Sequence, residues 1–176
     1  MGRRISVVGI SGNGKTTLTK RLARQLDVPR IELDALYHLP DWQEESAERF
    51  RDHVAAATAG DAWVVDGSYG ALLGDIVFKH ADTVVWLDQP LPLVLWRLVR
   101  RVIRDVRTRR DLFNGNRQTW RLAFFTRDSL LTWAIKSHLR RNTLYPEQFA
   151  VVPNLNVVRL RSRRAVERWL AAQTGD

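Results

Sequence analysis

The sequence predicts an α/β fold in three layers, in which a five-stranded parallel sheet lies between two layers of helices. Five short apolar segments rich in β-branched residues alternate with longer segments whose apolar residues recur at helical spacing. Strands connected through helices run parallel and are covered on both faces, so their segments are apolar throughout. We expect the whole chain, 1–176, to form one domain.

The five strands are expected at 5–8, 30–33, 63–65, 83–87 and 156–160. Helical spacing is found at 18–26, 44–59, from 91 onward, 118–125, 128–141 and 165–171. Between 107 and 116 the helical pattern fails, and Asn114-Gly115-Asn116 is typical of a loop. Because ligands of parallel sheets bind at the carboxyl ends of the strands, Asp34, Asp66 and Asp88 are candidates for one crevice.

A phosphate-binding loop of the pattern G-x-x-x-x-G-K-[ST] follows the first predicted strand and opens the first predicted helix. Its candidate ligand-binding residues are Gly9, Ser11, Gly12, Asn13, Gly14, Lys15, Thr16 and the adjacent Thr17. Glycines let the backbone approach phosphates, while the loop amides and the helix dipole attract the anion. We expect Lys15 to contact the β- and γ-phosphates of ATP and the Thr16 hydroxyl to ligate Mg²⁺. Lys15 is therefore also a catalytic candidate.

Composition excludes several classes of protein. The chain has no cysteine, so disulfides, thiolate catalysis and cysteine-ligated zinc are excluded. No apolar run is long enough to cross a membrane. The apolar N-terminal segment leads directly into the phosphate loop, so we do not expect it to be a cleaved secretion signal. We therefore expect a cytoplasmic protein that binds no membrane, and the sequence leaves its oligomeric state open.

The net charge of +9 is concentrated in one segment. Residues 97–141 contain thirteen Lys or Arg against three acids, a balance of +10. Such an excess is typical of a segment that binds an anion, either a small phosphate compound or a nucleic acid.

The chain resembles the small P-loop kinases of the adenylate kinase and shikimate kinase type, and most of all the bacterial proteins called DNA topology modulation proteins. The likeness rests on segments 9–17, 31–37, 63–69, 81–97 and 108–111. It implies a P-loop NTPase fold with an acceptor-binding insertion at about 35–60 and an arginine-rich lid at about 105–120. It does not imply a particular acceptor.

Two aspartates at strand ends have a functional and a structural interpretation. The resemblance implies that Asp66 holds a magnesium-bound water, although an aspartate before glycine also caps turns. It likewise implies that Asp34 lies against the acceptor hydroxyl, where it would accept a proton during transfer. The alternative for Asp34 is an N-cap of the following turn.

The resemblance also gives roles to arginines of the basic segment. It places Arg97, with Arg101 one turn later, over the adenine or the phosphates, although a solvated basic face is the alternative. In the expected lid, Arg107 and Arg110 are the catalytic candidates that would stabilise charge on the transferring phosphoryl group. For Arg51 two interpretations are equally open: it binds an anionic acceptor, or it is an ordinary solvent-exposed arginine.

The tryptophans have two interpretations, nucleic-acid stacking and core packing. Apolar surroundings predict core positions for Trp63, Trp86, Trp96, Trp120 and Trp133. Trp42, near Tyr37 and His38, is expected at the acceptor pocket.

Together these features predict an ATP- and Mg²⁺-dependent kinase that phosphorylates a small-molecule or nucleotide acceptor. The alternative is an ATP-switched nucleic-acid-binding protein or ATPase that uses the basic segment 97–141.

Overall fold

The structure, a computed structural model, describes residues 2–125 and 129–173. Its centre is a five-stranded parallel sheet with the strand order β2-β3-β1-β4-β5. The strands are β1 (Arg4–Val8), β2 (Arg30–Glu32), β3 (Trp63–Asp66), β4 (Thr83–Leu87) and β5 (Asn156–Leu160). The α/β class and the five parallel strands predicted from the sequence are confirmed.

Helices connect all the strands. They are α1 (Lys15–Leu26), α2 (Leu33–Tyr37), α3 (Ala47–Ala57), α4 (Gly70–Leu73), α5 (Ile76–His80), α6 (Leu91–Arg107), α7 (Leu130–Ala150) and α8 (Arg163–Ala171). Two 3₁₀ turns lie at Pro40–Trp42 and Phe113–Gly115, and a short π-helical turn at Arg121–Phe125. Helices α4 and α5 were not predicted, because segments of four and five residues are too short to show a helical period. Asp34 belongs to α2 rather than to the end of β2.

Each face of the sheet has its own apolar core. On one face, β-strand residues such as Ile5 and Val7 pack with Leu18 and Leu22 of α1 and with α8. On the other face, Val8, Val65 and Trp86 pack with side chains of α3, α5 and α7. Neighbouring residues of β1 therefore belong to opposite cores, as the alternation of side chains along a strand requires. The result is the predicted three-layer arrangement.

Two of the five tryptophans expected in the core are buried there, Trp63 and Trp86. The prediction is wrong for the other three, whose side chains are exposed: Trp96 by 54%, Trp120 by 43% and Trp133 by 43%. On α6, Val94, Leu98 and Val102 form the buried face. Trp96 lies two residues from Val94, about 200° around the helix, and so points the opposite way.

Strand register brings the functional candidates to one edge of the sheet. In the β1–β3 pair Val7 lies beside Asp66, and in the β2–β3 pair Glu32 lies beside the same Asp66. The phosphate loop continues from β1, and α2 continues from β2. The carboxyl ends of these three strands therefore place the loop, Asp66 and Asp34 at one edge.

Within the described residues, no helix combines the length and the apolar character needed to cross a bilayer.

Candidate active site

The phosphate loop is held against β4 and α6. Gly12 and Gly14 have φ angles of +92° and +88°, a conformation that glycine adopts without strain. A Cβ on Gly12 would lie 2.8 Å from the carbonyl oxygen of Val94, so only glycine fits this close approach. The buried Asn13 donates from Nδ2 to the carbonyl of Leu87 over 2.7 Å. Its side chain therefore anchors the loop to β4.

Lys15 lies in a crowded field of charges. Its Nζ donates to the carbonyl of Ile10, within the loop, over 3.2 Å. Burial lowers the pKa of Lys15, and the carboxylates of Asp66 and Asp34 partly offset that effect. The guanidinium groups of Arg141 and Arg101 lower the pKa of Lys15 further. Both aspartates and both arginines thus act electrostatically on the same ammonium group.

Two arginines contact the phosphate loop directly. Arg101 of α6 donates from Nη2 to the Ser11 hydroxyl over 2.8 Å. Arg141 of α7 donates from Nη1 to the carbonyl of Gly9 over 2.7 Å. Burial lowers the pKa of Arg101, because the buried guanidinium has lost hydration. A bound anion would offset this unfavourable desolvation energy. With Lys15, these residues form a cationic rim around the loop.

Asp66 is buried, with 5% of its surface exposed, and forms an ion pair with Arg30, a residue to which the sequence gave no role. Arg30 donates from Nη2 to Oδ2 of Asp66 over 2.7 Å and from Nη1 to Glu32 over 2.8 Å. Its Nε donates to the hydroxyl of Thr19 over 2.9 Å. Burial would lower the pKa of Arg30, but its hydrogen bonds to Glu32 and Asp66 raise it overall. The alternation of charge in Arg30-Ile31-Glu32 is the sequence signal that could have indicated this network.

Asp34 is held by a tyrosine from the segment after β3. The hydroxyl of Tyr69 donates to Oδ1 of Asp34 over 2.6 Å, and Nε2 of His38 lies 3.3 Å from the same hydroxyl. Burial raises the pKa of Tyr69, so its phenol stays protonated and remains a donor. The ring of Tyr69 packs against Tyr37 and Phe50, with centroids 4.9 and 5.1 Å away. Sequence reasoning gave no role to Tyr69 or His38.

The other arginine candidates are exposed or have structural partners. Arg97 donates to the side-chain oxygen of Gln89, just after β4. Arg107 is exposed at the end of α6, and Arg110, also exposed, lies 3.8 Å from Asp105. The structure therefore brings Arg101 to the phosphate loop, whereas Arg107 and Arg110 lie on the surface.

Two further candidates are engaged in structural contacts. Arg51 donates from Nε to the carbonyl of Leu72 over 2.7 Å. Asp88, expected in the common crevice, forms ion pairs with Arg159 at 2.7 Å and Arg161 at 3.3 Å.

The loop and its surroundings fit a magnesium-nucleotide. Thr16 and Thr17 are exposed in the first turn of α1, where a hydroxyl can face a ligand. Among the residues described, no cluster of three or more His, Asp or Glu could hold a metal alone. A magnesium ion here would therefore depend on Thr16, on water held by Asp66 and on phosphate oxygens. Both hydrogen bonds that the Asp66 carboxylate accepts from described residues end on Oδ2, which leaves Oδ1 for such a water.

The comparisons with known proteins agree with this architecture. The model of the family described as "ATPase family associated with various cellular activities (AAA)" matches residues 5–88, from β1 to the end of β4. A comparison with curated protein sequences found no match.

Solved structures of small-molecule kinases share the fold over nearly the whole chain. The shikimate kinase from Bacteroides thetaiotaomicron is 20% identical, with 98% of this chain and 97% of that one covered and a TM-score of 0.60. The shikimate kinase from Acinetobacter baumannii in complex with shikimate is 21% identical (96% and 89% covered, TM-score 0.57). A gluconokinase from Sinorhizobium meliloti 1021 is 18% identical (97% and 92%, TM-score 0.54). The chain therefore has the P-loop kinase fold; the likeness to DNA topology modulation proteins is not confirmed.

Proposed function

We propose that this protein is an ATP-dependent phosphotransferase that moves the γ-phosphoryl group of Mg-ATP to a hydroxyl group of a small-molecule acceptor. The single observation that carries the proposal is the Asp34 carboxylate. Tyr69 holds it at 2.6 Å, and it acts electrostatically on Lys15 at the phosphate loop. A carboxylate in this place suits an acceptor whose hydroxyl must lose a proton, whereas an anionic phosphate acceptor needs no such base.

The reaction assigns a role to each charged group. The acceptor oxygen forms a bond to the γ-phosphorus and transfers its proton to Asp34, while the bond from the γ-phosphorus to the β–γ bridging oxygen breaks and ADP leaves. Lys15, Arg101 and Arg141 stabilise the negative charge that spreads over the phosphate oxygens. A bound magnesium ion would supply further charge neutralisation at the β- and γ-phosphates.

In this proposal the chain is a single cytoplasmic kinase domain, 1–176. Segment 35–60 forms the acceptor side, and segment 105–120, with Arg107 and Arg110, forms the lid over the phosphates. Closure of a lid excludes water, which favours transfer to the acceptor over hydrolysis of ATP.

The test is a transfer screen. Labelled ATP and Mg²⁺ are incubated with sugars, hydroxy acids, nucleosides and nucleoside monophosphates, with wild type, Lys15→Met and Asp34→Asn. Label on a hydroxyl acceptor, lost in both variants but kept in the exposed control Asp61→Asn, is the expected result. Transfer only to nucleoside monophosphates, or transfer that Asp34→Asn leaves intact, would overturn the role of Asp34.

A second candidate function is ATP-switched nucleic-acid binding. The exposed Trp96 favours it, because Arg100 lies over its ring at 4.6 Å on the outer face of α6. Exposed aromatic rings beside arginines are typical of surfaces that bind single-stranded nucleic acid. If this function holds, fluorescence anisotropy with a labelled oligonucleotide should show binding that weakens steeply with salt and is lost in Trp96→Ala.

A further inference from the structure

Two loops on the acceptor and lid sides share one backbone conformation. In the loop 38–44, Leu39 N donates to Gln43 O over 2.8 Å, and in the loop 111–117, Leu112 N donates to Asn116 O over 2.7 Å. Each loop is closed by an antiparallel bridge between its first and last residues. Each also contains two successive residues with positive φ: Asp41 and Trp42 at +59° and +57°, and Asn114 and Gly115 at +52° and +78°. Two loops of the same shape thus occur 73 positions apart.

The two loops are joined by the side chain of Asn116. Its Oδ1 accepts from the backbone N of Trp42 over 2.8 Å, and its Nδ2 donates to the carbonyl of Leu39 over 2.8 Å. The indole Nε1 of Trp42 donates back to the carbonyl of Arg117 over 3.2 Å. Asn116 is only 4% exposed, so these bonds are shielded from water. Trp42 therefore belongs to this junction.

A second asparagine bonds to the helix that carries Asp34. Nδ2 of Asn114 donates to the carbonyl of Ala35 over 3.1 Å and to that of His38 over 2.6 Å. These carbonyls lie in and just after α2, where carbonyls lack partners within the helix. Asn114 thus caps the C-terminal end of α2. The ring of Phe113 stacks on that of His38, whose Nε2 faces the Tyr69 hydroxyl that holds Asp34.

We propose that Asn114 and Asn116 are positioning residues that couple the lid to the acceptor base. They fix α2, and with it Asp34, only when the loop 111–117 lies against the loop 38–44. The coupling rests on the proposed kinase function, because its purpose is to align Asp34 when the lid has excluded water. Arg101 and Arg141 bond to the phosphate loop from α6 and α7 and take no part in the junction, so we expect the junction to contribute little to ATP binding.

The variants must remove the amide without straining the backbone. Asn114 has a left-handed conformation that alanine disfavours, so we choose Asn114→Gly, which keeps the backbone free, and Asn114→Asp. The aspartate has the same shape but presents oxygen atoms to two carbonyls in place of a donor. Gln25→Ala is the matched control. It also removes a hydrogen bond from a side-chain amide to a backbone carbonyl, that of Leu170, far from the junction.

The first measurement is hydrogen exchange of the ligand-free protein, which requires no substrate. Both Asn114 variants should exchange at least about fivefold faster than wild type at residues 35–45, roughly 1 kcal/mol of lost protection. The control should leave this segment unchanged. Unchanged exchange in both Asn114 variants would overturn the coupling, whatever the enzyme does.

The second measurement compares phosphoryl transfer with ATP hydrolysis. Both Asn114 variants should lose about tenfold or more in transfer to the acceptor found in the screen, because a displaced base is costly, while the affinity for ATP stays unchanged. The fraction of ATP lost to water should rise. Faster exchange with an unaltered transfer-to-hydrolysis ratio would make the junction purely structural and overturn the proposal. If wild type transfers to no acceptor, the kinase function fails, whereas the exchange data still decide the coupling.

Discussion

The guanidinium of Arg141 donates to the carbonyl oxygen of Gly9, the first residue of the phosphate loop, across 132 positions of sequence. The same guanidinium lies over the rings of Trp133 and Tyr145, at 5.3 and 5.6 Å from their centroids. Helix α7 therefore contributes a fixed cation to the phosphate loop, beside Lys15 of α1 and Arg101 of α6. With the burial of Arg101 and Lys15, the result is a concentration of positive charge that a polyphosphate would offset.

Replacing Arg141 should weaken ATP binding. In Arg141→Ala the loop loses a charge-assisted hydrogen bond and a nearby cation, so we expect the Kd for ATP to rise about tenfold, equivalent to about 1.4 kcal/mol. Titration calorimetry measures it. Arg140→Ala is the matched control, because its side chain is exposed on the same helix and should leave the Kd unchanged. Equal losses in both variants would point to a general charge effect instead.

Replacing Lys15 should stabilise the ligand-free protein while abolishing ATP binding. Burial lowers the pKa of Lys15 in the folded state below its ordinary value of 10.5, so the charged form is disfavoured by folding. At pH values below the folded-state pKa, the charged ammonium lowers the free energy of unfolding by its full amount. This loss of stability shrinks as pH rises from that pKa towards 10.5, where the lysine of the unfolded chain also loses its proton.

Thermal unfolding across pH checks this prediction. Lys15→Met should have the higher Tm at neutral pH, and the difference should shrink in alkaline solution. The exposed Lys20→Met on the same helix should show no such trend. A wild type more stable than Lys15→Met at neutral pH would contradict the prediction.

The sequence predicted the parts of the site that depend on local pattern. The phosphate loop has a fixed spacing, and the end of β3 was visible as an apolar run that stops at Asp66, whereas β2 ends two residues before Asp34. The sequence could not select between Arg101 and Arg107, because it does not show which side of α6 faces the phosphate loop. Nor could it connect Tyr69 with Asp34, since no pattern relates side chains that meet through a turn after β3.

The helix positions of the tryptophans show the same limit. Trp96 and Leu98 are both apolar residues of one helix, yet only Leu98 is buried. Apolar composition predicts burial on average, but the angular position around the helix decides it.

Replacing Arg30 should destabilise the fold. Arg30→Met leaves the carboxylate of Asp66 buried without its cation, and removal of one partner of a buried pair costs about 3 kcal/mol or more. Chemical denaturation measures the loss. Arg21→Met removes an exposed ion pair with Glu167 and should change stability little. Adding Asp66→Asn to Arg30→Met should restore part of the loss, since the uncompensated charge is then absent; without such recovery, the pairing with Asp66 is not the cause.

Replacing Tyr69 by phenylalanine should impair transfer but leave nucleotide binding intact. The variant keeps the ring that packs against Tyr37 and Phe50 but removes the hydrogen bond to Asp34. A bond from a neutral donor to a carboxylate contributes about 1.5 kcal/mol, so we expect kcat for transfer to fall about tenfold. Tyr37→Phe is the control, because the Tyr37 hydroxyl bonds to Glu44 and not to Asp34. Burial and this bond to Glu44 raise the pKa of Tyr37 to about 12. Similar losses of kcat in both variants, or a higher Kd for ATP in Tyr69→Phe, would show that Tyr69 does not act through Asp34.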